Sequence, residues 1–230
     1  MPMTRRTARL ARTDPPADLP PGNIKVTRED WLQLALDILV SDGIGEVKVL
    51  KLAELLGVSR SSFYWYFKSR QDLLDALLDH WDATNTAVIL AHAEAPQPTI
   101  TAAVAHLFRC FVDPDLFSPQ LDFAIREWSR RSGPVRAILD RADDRRVTAL
   151  EALFARHGYA PPEAYVRARI LYYMQIGYYS LELSEPLSER LARTQEYLQS
   201  FTGRRPAAAD IAGLAEFAAP YLDDGERRGK

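Results

Sequence analysis

Residues 48–72 read KVLKLAELLGVSRSSFYWYFKSRQD, and this stretch decides the fold. Val49, Leu52, Ala53 and Leu56 fall on one face of a short helix, which Gly57 ends as a C-terminal glycine does. Ser59 stands where its hydroxyl can cap a second helix over residues 60–67 and satisfy the unpaired amides of its first turn. Two short helices joined by Gly57-Val58-Ser59 have the spacing of a helix-turn-helix. In that reading Leu52, Ala53 and Val58 lock the helices together, and Ala53 is small because the second helix crosses close to it. Such a unit offers the start of its second helix to the major groove of DNA. Here that start is Arg60, Ser61 and Ser62, cationic or short donors suited to base edges and phosphates.

Outward from this stretch, helical periodicity dominates and no segment sustains a period of two. Thr27 with Asp30 three residues on forms a capping box, ahead of an apolar face of Trp31, Leu34, Ala35, Ile38 and Leu39. Ser69 can cap a long helix that ends before Pro96 and Pro98. Pro114 and Ser118-Pro119, Gly133-Pro134, Gly158 with Pro161-Pro162, Glu185-Pro186, and Gly203 with Pro206 punctuate the rest. The spacing predicts an all-α chain of about ten helices, the last over residues 207–222. The first three form a helix-turn-helix domain over residues 26–72, and a larger helical domain spans 73–230.

The chain has 230 residues, 47% hydrophobic and 26% charged, the proportions of a globular protein, with a net charge of −2. Charge is unevenly placed. Residues 1–25 carry Arg5, Arg6, Arg9, Arg12 and Lys25 against Asp14 and Asp18, whereas residues 26–70 balance to zero. A basic arm over residues 1–25, with Pro15, Pro16, Pro20 and Pro21 marking a linker, can supply phosphate contacts or can be a solvated tail. The single cysteine, Cys110, excludes an internal disulfide framework and a cysteine-rich zinc site. The start lacks the apolar stretch of a secretory signal, and Ile170–Leu181 is too short and too polar to span a bilayer, so a cytoplasmic protein with no membrane partner is expected.

From Val26 to about Leu74 the chain resembles the DNA-binding region of the TetR family of bacterial transcriptional regulators. The matching elements are Leu52-Ala53, the Gly57-Val58-Ser59 turn, Phe63-Tyr64-Trp65-Tyr66-Phe67, and Ser69-Arg70 with Asp72-Leu73-Leu74. The resemblance implies that Tyr64 touches a phosphate and that Trp65 lies against the groove or backbone. Phe63 and Phe67 match positions packed inside the small domain. The basic residue opening the fourth helix is usually Lys and here is Arg70, which keeps the charge and can pair with phosphate through two parallel bonds. The expected DNA-binding set is therefore Lys48, Ser59, Arg60, Ser61, Ser62, Tyr64, Trp65, Lys68 and Arg70. The plain alternative for the aromatic string is that all five rings are core.

Two positions depart from the family. Lys48 replaces the usual Ser or Thr cap, losing roughly 1 kcal/mol but placing a cation near the DNA backbone. Ser61 stands where Gly is frequent, which alters base preference rather than abolishing binding.

Family members carry a second domain that dimerises and binds a small molecule. The stretch Tyr165–Leu183 is apolar on nearly every side and so must be covered all round. Burial against a second subunit is expected through helices spanning roughly Pro162–Leu183 and Leu187–Phe201; the alternative is a central core helix. Aromatic and polar residues recur at His106, Phe108, Cys110, Phe111, Phe123, Trp128, Tyr172, Gln175 and Tyr179. Of these His106, Cys110, Phe111, Trp128, Tyr172, Gln175 and Tyr179 are the candidate effector pocket, with ordinary core packing as the competing reading.

Catalysis is not expected. His80, His92, His106 and His157 share no paired spacing, and there is no phosphate loop, nucleophile elbow or metal-ligand cluster, so no cofactor or metal is implied. The Asp143-Asp144-Arg145-Arg146 run and Glu127 near Arg126 read as solvated faces or interhelix salt bridges, and Cys110 as core. The expectation is a ligand-responsive homodimeric regulator, a repressor at a palindromic operator. The alternative is a helical ligand-binding or interaction module that no longer reads DNA.

Overall fold

A computed structural model of the chain describes residues 26–181, 183 and 185–222. The basic arm expected over residues 1–25 lies outside the described residues. Every regular element among the described residues is helical. The chain forms two compact units that divide between Leu77 and Leu78.

The first unit begins with α1 (Arg28–Asp42). Its start is capped as the Thr27-Asp30 spacing predicts: the Asp30 amide donates to Thr27 Oγ1 at 3.2 Å, and the Thr27 amide donates to the Asp30 carboxylate at 2.7 Å. A short 3₁₀ turn at Ile44–Glu46 leads to α2 (Val49–Leu56). Gly57 ends α2 at φ +68°, a left-handed conformation that favours glycine, and the Val58 amide closes back on the Ala53 carbonyl at 3.0 Å.

Next, α3 spans Arg60–Phe63, shorter than the helix expected to residue 67. Beyond Phe63 the Trp65 and Tyr66 amides bond to carbonyls three residues back, so the helix tightens into turns. The next helix, α4 (Arg70–Trp81), runs across the division between the units.

In the second unit, a π-helical turn at Asp82–Thr86 joins α4 to α5 (Ala87–Glu94) without a break. The single long helix expected before Pro96 is therefore present but carries a bulge. It forms where tertiary partners hold side chains of the inserted turn: Asn85 Nδ2 donates to the Ser118 carbonyl at 2.8 Å, and Thr86 accepts from Arg146. The order continues with α6 (Ile100–Val112), α7 (Pro119–Ser129), α8 (Gly133–Arg156) and α9 (Pro161–Ser180). Ser118 caps α7 through the Leu121 amide, with Pro119 in its first turn.

The helix expected over residues 187–201 divides at Arg193 into α10 (Leu187–Ala192) and α11 (Thr194–Thr202). Last comes α12 (Ala208–Ala218), which packs on α6 within its own chain. Thr101 on α6 donates to Asp210 at 2.7 Å, and Arg109 lies 5.2 Å over the Phe217 ring. Val104, Leu107, Leu150, Leu153, Phe154, Leu171 and Leu198 fill the core of this unit.

Candidate nucleic-acid interface and ligand cavity

Under the helix-turn-helix lies an aromatic core. Trp31 and Phe63 meet edge to face at 5.3 Å, Phe63 stacks with Phe67 at 5.3 Å, and Leu52 and Ala53 are buried beside them. The Tyr66 hydroxyl donates to the Val26 carbonyl at 2.6 Å and so ties the start of the domain to this core. With Phe63 and Phe67 inward, their sequence neighbours turn out. Tyr64 is 50% exposed and Trp65 85%. The two exposed rings lie side by side in sequence, and Tyr64 is in contact with Arg60.

The cationic and hydroxyl residues around those rings divide into free and occupied groups. Arg60 and Ser61 are exposed at the start of α3, and the Arg60 guanidinium donates to the Tyr64 hydroxyl at 3.3 Å, one turn on. That contact holds the cation and the phenol side by side on one edge. Lys68 is exposed, and its amide donates to the Asp72 carboxylate at 2.8 Å.

Ser59 does not cap α3. Its hydroxyl instead lies 2.8 Å from that of Ser61, while the Ser62 hydroxyl donates to the Ser59 carbonyl at 2.7 Å. The Ser61 hydroxyl thus occupies the Ser59 oxygen that would otherwise accept from a first-turn amide. Lys48 occupies the N-terminal position of α2 with no side-chain cap, and its ammonium pairs with Glu46 at 2.9 Å. Arg70 is partly occupied within the domain: Nε donates to the Val47 carbonyl at 2.6 Å and Nη2 to the Ile44 carbonyl at 3.0 Å. It clamps the loop ahead of α2 as well as presenting charge.

In the second unit a buried polar cluster takes the second of the two readings offered for the Arg126 and Asp143–Arg146 region, interhelix salt bridges rather than solvated faces. Arg146 is completely buried; it bonds Thr86 at 2.8 Å, Asp122 at 2.9 Å and the Tyr172 hydroxyl at 3.2 Å. Asp122 also accepts from the Trp81 indole at 2.9 Å, at the end of α4, and from Arg126 at 2.9 Å. Arg126 reaches Asp143 with both terminal nitrogens, at 2.9 and 2.8 Å, and Tyr172 donates to the same carboxylate at 2.6 Å. Burial works to raise the Asp122 carboxyl pKa, but the charges of Arg146 and Arg126 and the indole bond outweigh it and hold the group below its ordinary value.

The signal that points to Arg146 is its register. It shares a helical face with Leu139, Ala142, Leu150 and Leu153, all buried. A charged residue in an apolar stripe is a paired interior charge. The run it belongs to masks this, because Asp144 and Arg145 are exposed.

The expected pocket residues take part in different packing groups. Trp128 and Cys110 are buried in packing, and burial raises the Cys110 thiol pKa well above its usual range. His106 stacks on His92 at 4.9 Å, and Tyr172 belongs to the charge cluster. Phe111 meets Phe117 and Tyr179 edge to face. Of them, Gln175 lines the cavity formed with Phe108, Val112, Met174, Tyr178, Leu187, Arg190, Leu191, Thr194, Tyr197 and Leu214. The residues outside the expected set come from α6 (Phe108, Val112), from α9 (Met174, Tyr178) and from α10 to α12, whose packing on α6 and α9 is set by long-range contacts.

On α9 one side is buried against α8 and the core, whereas Tyr165, Val166, Ile170 and Tyr173 are exposed by 45–55%. Arg169 lies between two of those rings, 5.3 Å from Tyr165 and 4.7 Å from Tyr173. The residues of α10 and α11 place their apolar groups inward and present Glu189, Arg193, Glu196 and Gln199 to solvent. No described helix is long and apolar enough to cross a membrane.

Comparison with known proteins bears on both units. Residues 32–77 match the family described as bacterial regulatory proteins, tetR family. Tetracycline repressor protein class C of Escherichia coli is 40% identical over 55 residues, 24% of this chain and 25% of that protein. Nucleoid occlusion factor SlmA of Haemophilus ducreyi is 29% identical over 97 residues, 42% of this chain and 48% of that protein. The alignments thus span less than half the length of these relatives. Mycobacterium smegmatis AmtR has the same fold, with a TM-score of 0.58 and 20% identity over 89% of this chain and 98% of that one.

Proposed function

We propose, from the premise that this chain belongs to the tetR family of bacterial regulatory proteins through its N-terminal domain, that it binds a palindromic DNA operator as a homodimer. In this reading it is a repressor released by a small-molecule effector. The observation that carries the DNA-binding part is the exposed group of Arg60, Ser61, Tyr64 and Trp65 above the buried Phe63 and Phe67. Arg60 and Ser61 reach base edges or phosphates at the groove floor. Tyr64 and Lys68 contact phosphates, and Trp65 covers the sugar–phosphate edge. Arg70 braces the loop before α2 and adds charge there. Ser59, Ser62 and Lys48 contact the backbone through groups that their internal bonds leave free.

Dimerisation uses the exposed face of α9, where Val166, Ile170, Tyr165 and Tyr173 lose water on pairing. The polar outer faces of α10 and α11 make those helices the rim of the interface. Two reading units must then stand about 34–36 Å apart to enter successive major grooves.

Release follows from α4, which continues from the DNA-reading unit into the second one. Its end is fastened by the Trp81–Asp122 bond, and Asp122 is linked through Arg146 to Tyr172 on α9. Tyr172 lies one turn from Gln175, which lines the cavity. A ligand that shifts α9 moves these fastenings and changes the spacing of the two reading units, leaving the reading residues untouched. It must bind the two states with different affinity, and a coupling of about 1–3 kcal/mol is typical of such devices.

The test is titration of a selected duplex by fluorescence anisotropy with wild type, Arg60→Ala and Tyr64→Ala. Each substitution is expected to weaken binding at least about tenfold, roughly 1.4 kcal/mol, while the oligomeric state is unchanged. Equal affinity for all three proteins supports instead a ligand-binding module that does not read DNA.

A further inference from the structure

The cavity lined by α6, α9, α10, α11 and α12 has a chemical character that narrows its occupant. Its walls are mainly apolar, from Phe108, Met174, Leu191, Tyr197 and Leu214. Gln175 is 3% exposed; its Nε2 makes no hydrogen bond, and the adjacent Tyr179 hydroxyl is likewise buried without one. A buried amide donor without a hydrogen bond is unfavourable, and an acceptor oxygen placed in the cavity would satisfy it. Among the described residues the lining contains one cation, Arg190, and no carboxylate. The Arg190 guanidinium lies over the Tyr178 ring at 4.6 Å, so the ring supports its face and its N–H edge remains available for an acceptor. The nearby Glu185 carboxylate already accepts from Arg193 and, at 3.2 Å, from the Tyr178 hydroxyl.

Taken together, these groups specify the ligand from three sides. A cation is repelled by Arg190. A purely apolar molecule leaves Gln175 unpaired. A multiply charged anion exceeds what one guanidinium in an apolar lining can compensate.

We propose that this cavity binds a small monocarboxylate with an apolar body, its carboxylate on Arg190 and Gln175 and its body against Phe108, Met174, Leu191 and Leu214. The proposal rests on the effector-responsive reading above and names the class of effector. The cavity is open on one side and holds about 60 Å³, well under the roughly 300 Å³ at which ligand pockets begin. Binding therefore displaces a wall. That wall is α10, a six-residue helix with no fully buried residue that contributes Leu187, Arg190 and Leu191. Its outward shift enlarges the cavity at little packing cost, and Arg190 moves with it onto the bound carboxylate.

The experiment is calorimetric titration of the full chain with benzoate and octanoate, each compared with its neutral alcohol, benzyl alcohol or octan-1-ol. Wild type, Arg190→Met and Gln175→Leu are titrated in parallel, with Arg190→Lys as a second variant should the methionine variant fail to fold. At least one acid is expected to bind at a single saturable site, at least about tenfold tighter than its alcohol. Arg190→Met should bring that acid down to the level of its alcohol, Arg190→Lys should keep part of the preference, and Gln175→Leu should weaken acid and alcohol alike. Alcohols that bind as tightly as the acids, a preference that survives Arg190→Met, or no saturable binding of either acid overturns the proposal.

Duplex anisotropy on the same samples separates the two readings. Acid binding without any change in DNA affinity contradicts effector release but leaves the ligand class standing. DNA binding by a protein that ignores both acids does the reverse.

Discussion

Arg146 and Asp122 carry opposite charges into an interior where either alone would be costly. Their contacts are complete: Asp122 meets two arginines and an indole, and Arg146 meets a carboxylate, a phenol and a threonine. Removing one partner leaves the other uncompensated, so Asp122→Asn is expected to lower unfolding free energy by about 3–5 kcal/mol, measured by urea denaturation at pH 7. The native carboxyl titrates below its ordinary value of 3.8. Its contribution to stability is therefore full above about pH 4 and is lost as pH falls through the lower native value. A denaturation midpoint that declines below pH 4 in wild type and less steeply in Asp122→Asn checks this. The partnership was hidden in the sequence because Asp122, Trp81 and Tyr172 are remote in the chain from Arg146. The register of Arg146 with Leu139, Ala142, Leu150 and Leu153 was the one local sign. By contrast, the inward Phe63 and Phe67 and the outward Tyr64 and Trp65 were legible through the family resemblance rather than through helical period, since α3 ends at Phe63.

Among the elements, those bounded by local chemistry agree with the sequence. Thr27 with Asp30, Ser69 and Ser118-Pro119 mark helix starts through bonds within three residues. Gly57 marks an end through its positive φ, and Gly57→Ala should cost about 1 kcal/mol of stability, read as a lowered melting temperature. The π-helical turn and the break at Arg193 were not legible, since the first depends on Ser118 and Arg146 and no sequence signal marks the second. The Ser59 cap failed for a local reason that composition obscures: Ser61 competes for the same hydroxyl.

The link from cavity to α4 is also an element-scale matter. Tyr172→Phe deletes the hydroxyl that joins α9 to Asp143 and Arg146. The variant should still bind ligand and DNA separately while ligand-induced DNA release falls by roughly 1 kcal/mol of coupling, measured by duplex titration with and without ligand.

At the scale of the molecule, the all-helical two-unit fold was readable because helix period and punctuation repeat along the chain. How the apolar α9 is covered was only half readable. Its sequence shows apolar residues all round, whereas the structure buries Ala164, Ala168 and Leu171 and leaves Tyr165, Val166, Ile170 and Tyr173 exposed. If that exposed face joins two chains, Ile170→Glu should shift a dimer to monomer in light scattering after size exclusion, with monomeric melting little changed. DNA affinity should fall with it, because one reading unit alone engages one half-site.

These scales meet in one measurement: selection of bound sequences from a random duplex library by the purified full chain. A homodimeric DNA reader enriches a palindrome whose half-sites lie about 34–36 Å apart, bound by two chains per duplex and lost with Arg60→Ala. Recovery of sequences no different from the non-specific background, by a folded and ligand-free protein, would contradict it.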